Sequence, residues 1–257
     1  MSGVADGIHQ TAELLRGARY GVALTGAGVS TPSGIPDFRS AGSGLWEQVD
    51  PLEVASLPAF RYHPERFYQW LRPFAQLMQN TQPNPAHIAF AQLEARGYLK
   101  VLMTQNIDQL HTRAGSQRVL ELHGSLREAV CGQCHHHWPG TPILNQFIAD
   151  GHVPHCADCG GVLKPNAILL GEALSESVLR EARLAARACD VMLVAGSSLE
   201  VMPAAGLPYE AVSTGARLVM FNQEPTYMDE RAEIIVREDV AVALPQVVAL
   251  LEGAPHA

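Results

Sequence analysis

Apolar residues gather along the chain in short runs separated by polar and glycine-rich stretches, and strand-like and helix-like periods alternate. The runs at 20–25 (YGVALT), 100–104 (KVLMT), 118–122 (RVLEL), 190–195 (DVMLVA), 217–221 (RLVMF) and 233–236 (EIIV) are rich in β-branched residues. Each is too short for a buried helix, and continuous apolar runs of this length predict parallel strands covered on both faces. Helical patterns lie between them. Asn84-Pro85 supplies an N-cap and a proline at the first helical position, and Gly97 stands where a helix-ending glycine belongs. Ser175 opens a segment running to about Ala188, with Val178, Leu179, Ala182 and Ala186 on one face. Residues 242–251 predict a last helix.

Strands alternating with helices predict an α/β fold with a doubly wound, Rossmann-like parallel sheet. Two stretches interrupt the alternation. Residues 43–98 hold helix-like segments without a convincing buried strand, and 124–170 hold two cysteine pairs, nearby histidines and several Gly and Pro. The expected division is a nucleotide-binding domain from 1–42, 99–123 and 171–257. A smaller inserted domain would combine a helical part, 43–98, with a metal-binding part, 124–170, leaving a cleft against the sheet.

Composition narrows the function class. A length of 257 residues, 47% hydrophobic and 17% charged, fits one large soluble domain with an appended module. The net charge of −8 argues against a nucleic-acid footprint; it either serves solubility or suits a basic, lysine-bearing partner. No run approaches the roughly 18–20 apolar residues of a bilayer span, so no membrane partner is expected. The opening MSGVADGIHQ lacks the basic and apolar parts of a signal peptide, so the cytoplasm is the expected location.

Five cysteines do not make a disulfide scaffold, and four of them form Cys131-Gly132-Gln133-Cys134 and Cys156-Ala157-Asp158-Cys159. Two such knuckles flanking residues 135–155 predict one structural zinc ion, because four thiolates close a tetrahedral site. A redox dithiol is the alternative for either pair alone. His135, His136, His137 and His155 are solvated loop side chains or, by ligand exchange, metal ligands. Cys189 has no partner in this pattern and is expected to pack beside the sheet.

The first strand runs into Thr25-Gly26-Ala27-Gly28-Val29-Ser30, a turn able to bring backbone N–H groups close to a pyrophosphate. Thr31 stands at the third glycine of the dinucleotide fingerprint, and no acidic residue closes a second strand about 20 residues on, so a hydride-transferring dehydrogenase fits poorly. A plain strand-to-helix turn stays open. The strand at 100–104 ends in Gln105-Asn106-Ile107-Asp108 and the next in His123-Gly124. Ligands of doubly wound sheets lie beyond the carboxyl ends of the strands, which sets these residues opposite the glycine loop. Histidine is the side chain best suited to general-base work near neutral pH, although at a strand end it can also be structural.

The run TGAGVSTPSGIPDFRS at 25–40, with TQNID at 104–108 and His123-Gly124, resembles the sirtuin family of bacterial type, NAD-dependent protein lysine deacylases. The resemblance extends over roughly residues 15–245. It implies that NAD is consumed as a co-substrate and contacts Gly26, Ala27, Gly28, Asp37, Phe38, Arg39, Gln105, Asn106 and Asp108. Arg39 would close over the dinucleotide and Phe38 would shield the reacting sugar carbon from water. Gly196-Ser197-Ser198, otherwise a helix cap, would form a second nucleotide loop; Asn222 would contact the adenosine ribose, and Val240, in a final loop, would lie near the adenine. Of the catalytic set His123, Asn106 and Asp108, His123 would be the base and the other two would hold nicotinamide and ribose. The implied reaction releases nicotinamide as the acyl oxygen attacks the ribose, then yields deacylated lysine and O-acyl-ADP-ribose.

Acyl-lysine proteins are the implied partners, with no direct nucleic-acid contact. Residues 163–172 occupy the place of the strand that pairs with the substrate peptide, a mode resting on backbone hydrogen bonds. Tyr68, Leu169, Leu170, Gly171 and Glu172 would line the substrate. Sirtuins commonly carry a bulky aromatic before Gly-Glu, so Leu169 and Leu170 imply a wider acyl tunnel. Members preferring acidic acyl groups carry Tyr-x-x-Arg; here Tyr68 is followed by Leu71, and Arg72 falls one residue later, about 100° around a helix. A mono-ADP-ribosyltransferase and an NAD-binding sensor without turnover are the competing functions. His123 and the complete knuckles favour deacylation.

Overall fold

The computed structural model describes residues 3–37 and 49–253. Among them are strands β1 (Gly21–Thr25), β2 (Leu99–Thr104), β3 (Val119–Glu121), β4 (Gly124–Cys131), β5 (His137–Pro139), β6 (Leu163–Ala167), β7 (Val191–Ala195), β8 (Arg217–Phe221) and β9 (Ile234–Val236). The helices are α1 (Val4–Gly17), α2 (Pro51–Val54), α3 (Leu57–Tyr62), α4 (Pro64–Asn80), α5 (Pro85–Ala95), α6 (Leu110–Arg113), α7 (Gly140–Asp150), α8 (Glu176–Ala188), α9 (Leu207–Ser213) and α10 (Val240–Glu252).

Six strands form one parallel sheet in the order β3-β2-β1-β7-β8-β9. Every residue of β1 and β7 is buried, as continuous apolar strands between two helical layers must be. One layer carries α1, α5 and α10, burying Ile8, Leu15, Phe90, Leu93, Leu244 and Val247 against the sheet. The other carries α8 and α9, with Ala182, Ala186, Leu207 and Ala211 in its core. The sequence order of the parallel strands reverses between β1 and β7, the position where such sheets open a crevice. Thr25, Thr104 and Ala195 lie side by side in register, so the loops that follow leave at one level.

β4, β5 and β6 form a separate antiparallel sheet in the order β5-β4-β6. A compact apolar cluster of Phe60, Phe67, Tyr68, Leu71, Phe147 and Leu169 joins α3 and α4 to α7 beside it. Gly124, where the chain passes from one sheet to the other, has φ +72°, and a side chain there would meet Asn166 O at 1.9 Å.

Three expectations change. α5 packs on α10 and β2 in the large core, so 84–98 does not belong with the helical part of the small domain. α10 starts at Val240, two residues early, because Asp239 caps it by accepting from Ala241 N–H at 2.8 Å. Val240 is therefore a buried first helical residue and not part of a loop. Within 163–172, only β6 is a strand, and it already pairs with β4. No helix among the described residues is long and apolar enough to cross a membrane.

Candidate active site and metal centre

The loops after β1 and β7 interlock at the crevice. Gly26 N–H donates to Ala195 O at 3.0 Å and Gly28 N–H to Gly196 O at 2.9 Å. A side-chain carbon on Gly26 would lie 2.6 Å from Gly196 O, and one on Gly28 would lie 2.9 Å from Gly196 Cα. The glycines thus serve the close approach of two backbones, and the N–H groups of Gly26 and Gly28 are already used. Ala27 lies half-buried in a short 3₁₀ turn rather than at the head of an α-helix. Ser197 is buried and its hydroxyl accepts from Gln105 Nε2 at 2.9 Å, whereas Ser198 is exposed.

Behind the loops runs a polar chain whose direction can be deduced. Asn84 N–H donates to His87 Nδ1 at 3.3 Å, so the ring proton sits on Nε2 and points at Ser30 Oγ, 3.4 Å away. Ser30 Oγ also accepts from Asn106 Nδ2 at 3.1 Å and donates to Asp108 Oδ2 at 2.6 Å. Asn106 Nδ2 donates a second bond to Gly26 O at 3.0 Å. With both amide hydrogens directed inward, the Asn106 side-chain oxygen is the end left for the cleft. Burial raises the Asp108 carboxyl above its ordinary range, while the Ser30 hydroxyl and Leu110 N–H pull it back. Burial pushes His87 down to about 4, so it is neutral at physiological pH. His111, against the His87 ring at 4.8 Å and 3.0 Å from Thr25 Oγ1, is held well below its ordinary value by burial and by His87.

His123 stands at the end of β3, half-buried, with Nδ1 3.0 Å from Gln105 O. A carbonyl only accepts, so Nδ1 carries the proton of the neutral ring and Nε2 carries the basic lone pair. Its own backbone oxygen accepts from Ile168 N–H at 2.8 Å. Asn222 lies beyond β8, its amide donating to Glu224 O at 2.7 Å, and Arg237 donates to Asn222 O at 2.7 Å. Asp37 is half-buried; Phe38 and Arg39 lie outside the described residues.

The expected substrate residues divide. Tyr68 is 2% exposed, and its hydroxyl donates to Leu163 O at 2.5 Å, which removes it from any substrate surface. Leu169 also faces the small-domain core. Leu170 is half-buried and bridges Ala55 and Leu57 through its backbone, while Gly171 is exposed with φ +82°. The Glu172 carboxylate turns inward to Lys164 and does not face a substrate. Arg72 donates to Ile148 O and Ala149 O at the end of α7.

The four knuckle cysteines converge, with Cys131–Cys159 and Cys134–Cys156 sulfur distances of 3.4 and 3.7 Å. A tetrahedral zinc site with Zn–S of about 2.3 Å has sulfur–sulfur edges of about 3.8 Å, whereas a disulfide is about 2 Å. N–H groups of Cys134 and Gln133 point at Cys131 Sγ and stabilise a metal-binding thiolate there. The donor set therefore fits one structural zinc ion. Three of the four neighbouring histidines have other partners: His136 meets Asp158 at 2.5 Å, His137 Glu128 at 3.4 Å and His155 Gly160 O at 3.0 Å. Cys189 is buried beside the sheet, its thiol pushed up to about 12 by burial and by Asp190.

His87 and His111 escaped the sequence reading. The available signal was a histidine on an otherwise apolar face with Ala86, Ala89, Phe90 and Leu93.

The Sir2 family model matches residues 26–203. The chain belongs to the Sir2 family, the sirtuins. NAD-dependent protein deacylase 2 of Archaeoglobus fulgidus is 42% identical over 247 residues, covering 95% of each chain. A solved Sir2 variant with a deacetylated p53 peptide and 3′-O-acetyl ADP-ribose superposes with a TM-score of 0.88 at 38% identity, covering 96% and 98% of the two chains. Sir2Af2 bound to a myristoylated histone peptide gives 0.81 at 37% identity over 96% and 97%. Among the described residues, the sirtuin sequence hallmarks thus sit on a sirtuin fold.

Proposed function

We propose that this Sir2 protein is an NAD-dependent protein lysine deacylase that transfers the acyl group of a modified lysine to ADP-ribose. The observation that carries this is the histidine at the crevice: His123, its proton held on Nδ1 by Gln105 O, beside the oriented Asn106 and Asp108. NAD supplies the leaving nicotinamide and the ribose that accepts the acyl group. Asn106 offers its carbonyl oxygen to an amide donor, and Asp108 offers a carboxylate stabilised by Ser30. His123 accepts a ribose hydroxyl proton at Nε2, the general-base role that its fixed tautomer permits. The family resemblance supports Gly196, Ser198, Asn222 and Asp37 as further NAD contacts, and Leu170 and Gly171 as the substrate-facing part of 163–172. Zinc holds the small sheet and takes no part in the chemistry, since four thiolates leave no open position.

The test is release of nicotinamide and O-acyl-ADP-ribose from NAD and an acetyl-lysine peptide. Replacing His123 with Ala should lower turnover by roughly 10²–10⁴ while NAD binding stays within a few fold. Near-normal product formation by that variant would refute the assignment.

A further inference from the structure

Residues 163–172 leave the small sheet after β6 and bend sharply, and an ion pair lies inside the bend. Lys164 Nζ donates to Ala167 O at 2.7 Å, Pro165 O at 3.1 Å and Glu172 Oε2 at 3.1 Å. An ammonium has three donors, and all three have acceptors here. The same Glu172 oxygen accepts from Leu169 N–H at 2.9 Å. The two side chains are only 13% and 24% exposed. Residue 164 thus closes the turn from its start and residue 172 from its end.

Outside the clasp the segment is fastened to two other parts of the molecule. Ile168 N–H donates to the backbone oxygen of His123, and Leu170 exchanges hydrogen bonds with Ala55 and Leu57. Taking an ammonium and a carboxylate out of water is costly, and an apolar pair could fill the same space. An apolar pair could not choose the directions of two carbonyls and one N–H, whereas Lys164 and Glu172 set all three.

We propose that Lys164 and Glu172 are positioning residues for acyl recognition: neither touches substrate, but together they set the wall at 167–172 beside His123 and so the discrimination between acyl chains of different length. This rests on the deacylase reading above.

The experiment compares kcat/KM on matched acetyl-, butyryl- and myristoyl-lysine peptides for the wild type, Lys164→Arg and the double variant Lys164→Met/Glu172→Gln. KM for NAD, thermal midpoint and zinc content are measured alongside. The double variant leaves no buried charge without a partner. It should fold, hold zinc and keep KM for NAD within about twofold. Its acetyl-to-myristoyl efficiency ratio should shift about tenfold, mainly through KM for the peptide, which corresponds to about 1.4 kcal/mol of differential acyl binding. Lys164→Arg keeps the cation and should preserve the wild-type ratio. A folded double variant with an unchanged ratio would overturn the proposal, and so would one that does not fold, which would assign the pair to stability alone. Absence of nicotinamide release by the wild type would instead remove the deacylase reading on which the proposal stands.

Discussion

Replacing Ser30 with Ala removes the branch point of the chain that orients Asn106 and Asp108. The hydroxyl donates 2.6 Å to a carboxylate that is 8% exposed, and accepts 3.1 Å from Asn106. A hydrogen bond to a charged group contributes about 1.5–3 kcal/mol, and the bond from Asn106 about 1. Part of this loss falls on folding. The part that falls on NAD should be about 1.5–3 kcal/mol, or roughly 10–100-fold in affinity. Turnover at saturating NAD should stay within a few fold, because His123 takes its orientation from Gln105 O and not from Ser30. A pH signature follows as well. Ser30 lowers a carboxyl that burial raises, so its removal lifts that carboxyl further and moves the acid limb of kcat/KM for NAD to higher pH. Calorimetric titration with NAD and initial rates against pH measure both. An alanine variant with NAD affinity within twofold and an unmoved acid limb would show that Asp108 and Asn106 do not act through Ser30.

Stability should fall with acid because of His87, which binds its proton near 6.5 when unfolded but only near 4 when folded. The contribution is complete above pH 6.5 and lost toward pH 4, about 3 kcal/mol in all; urea midpoints against pH should be flatter for His87→Gln than for the wild type. Cys156→Ser should lower zinc content and destabilise the small sheet, since metal-binding energy in such sites is folding energy; native protein free of zinc by elemental analysis would refute this. Succinyl-lysine should be a poor substrate, at least about 100-fold below acetyl-lysine, because Arg72 is committed to α7 and burying an unpartnered carboxylate costs several kcal/mol. Equal efficiency on the two peptides would show another cation at the acyl site.

The large sheet was legible because parallel strands covered on both faces must be continuous apolar runs, and all six stand where those runs lie. The zinc knuckles were legible because their four ligands arrive as two local pairs. Partnership was not legible. The apolar face of α5 announces burial but not that α10 is what covers it. α1 contains Gly7 and Thr11 among its buried residues, which blurs its helical pattern. In the site, the letters of the glycine loop were plain, yet their N–H groups turn to the β7 loop because that approach is a contact between distant segments. Tyr68 and Glu172 sat in suggestive positions, but the direction of the first depends on Leu163, a partner distant in sequence, and that of the second on Lys164 across a turn.

His123 takes its ring orientation from Gln105, on the large sheet, and its backbone is tied to Ile168, on the chain leaving the small one. In logical terms this is an AND gate: the base is placed only when both folding units are intact. Protein stripped of zinc should therefore keep the nucleotide crevice between β1 and β7 while losing deacylation, so that cofactor occupancy and turnover part company under chelation. A cell short of zinc would then hold a sirtuin that still sequesters NAD and no longer consumes it.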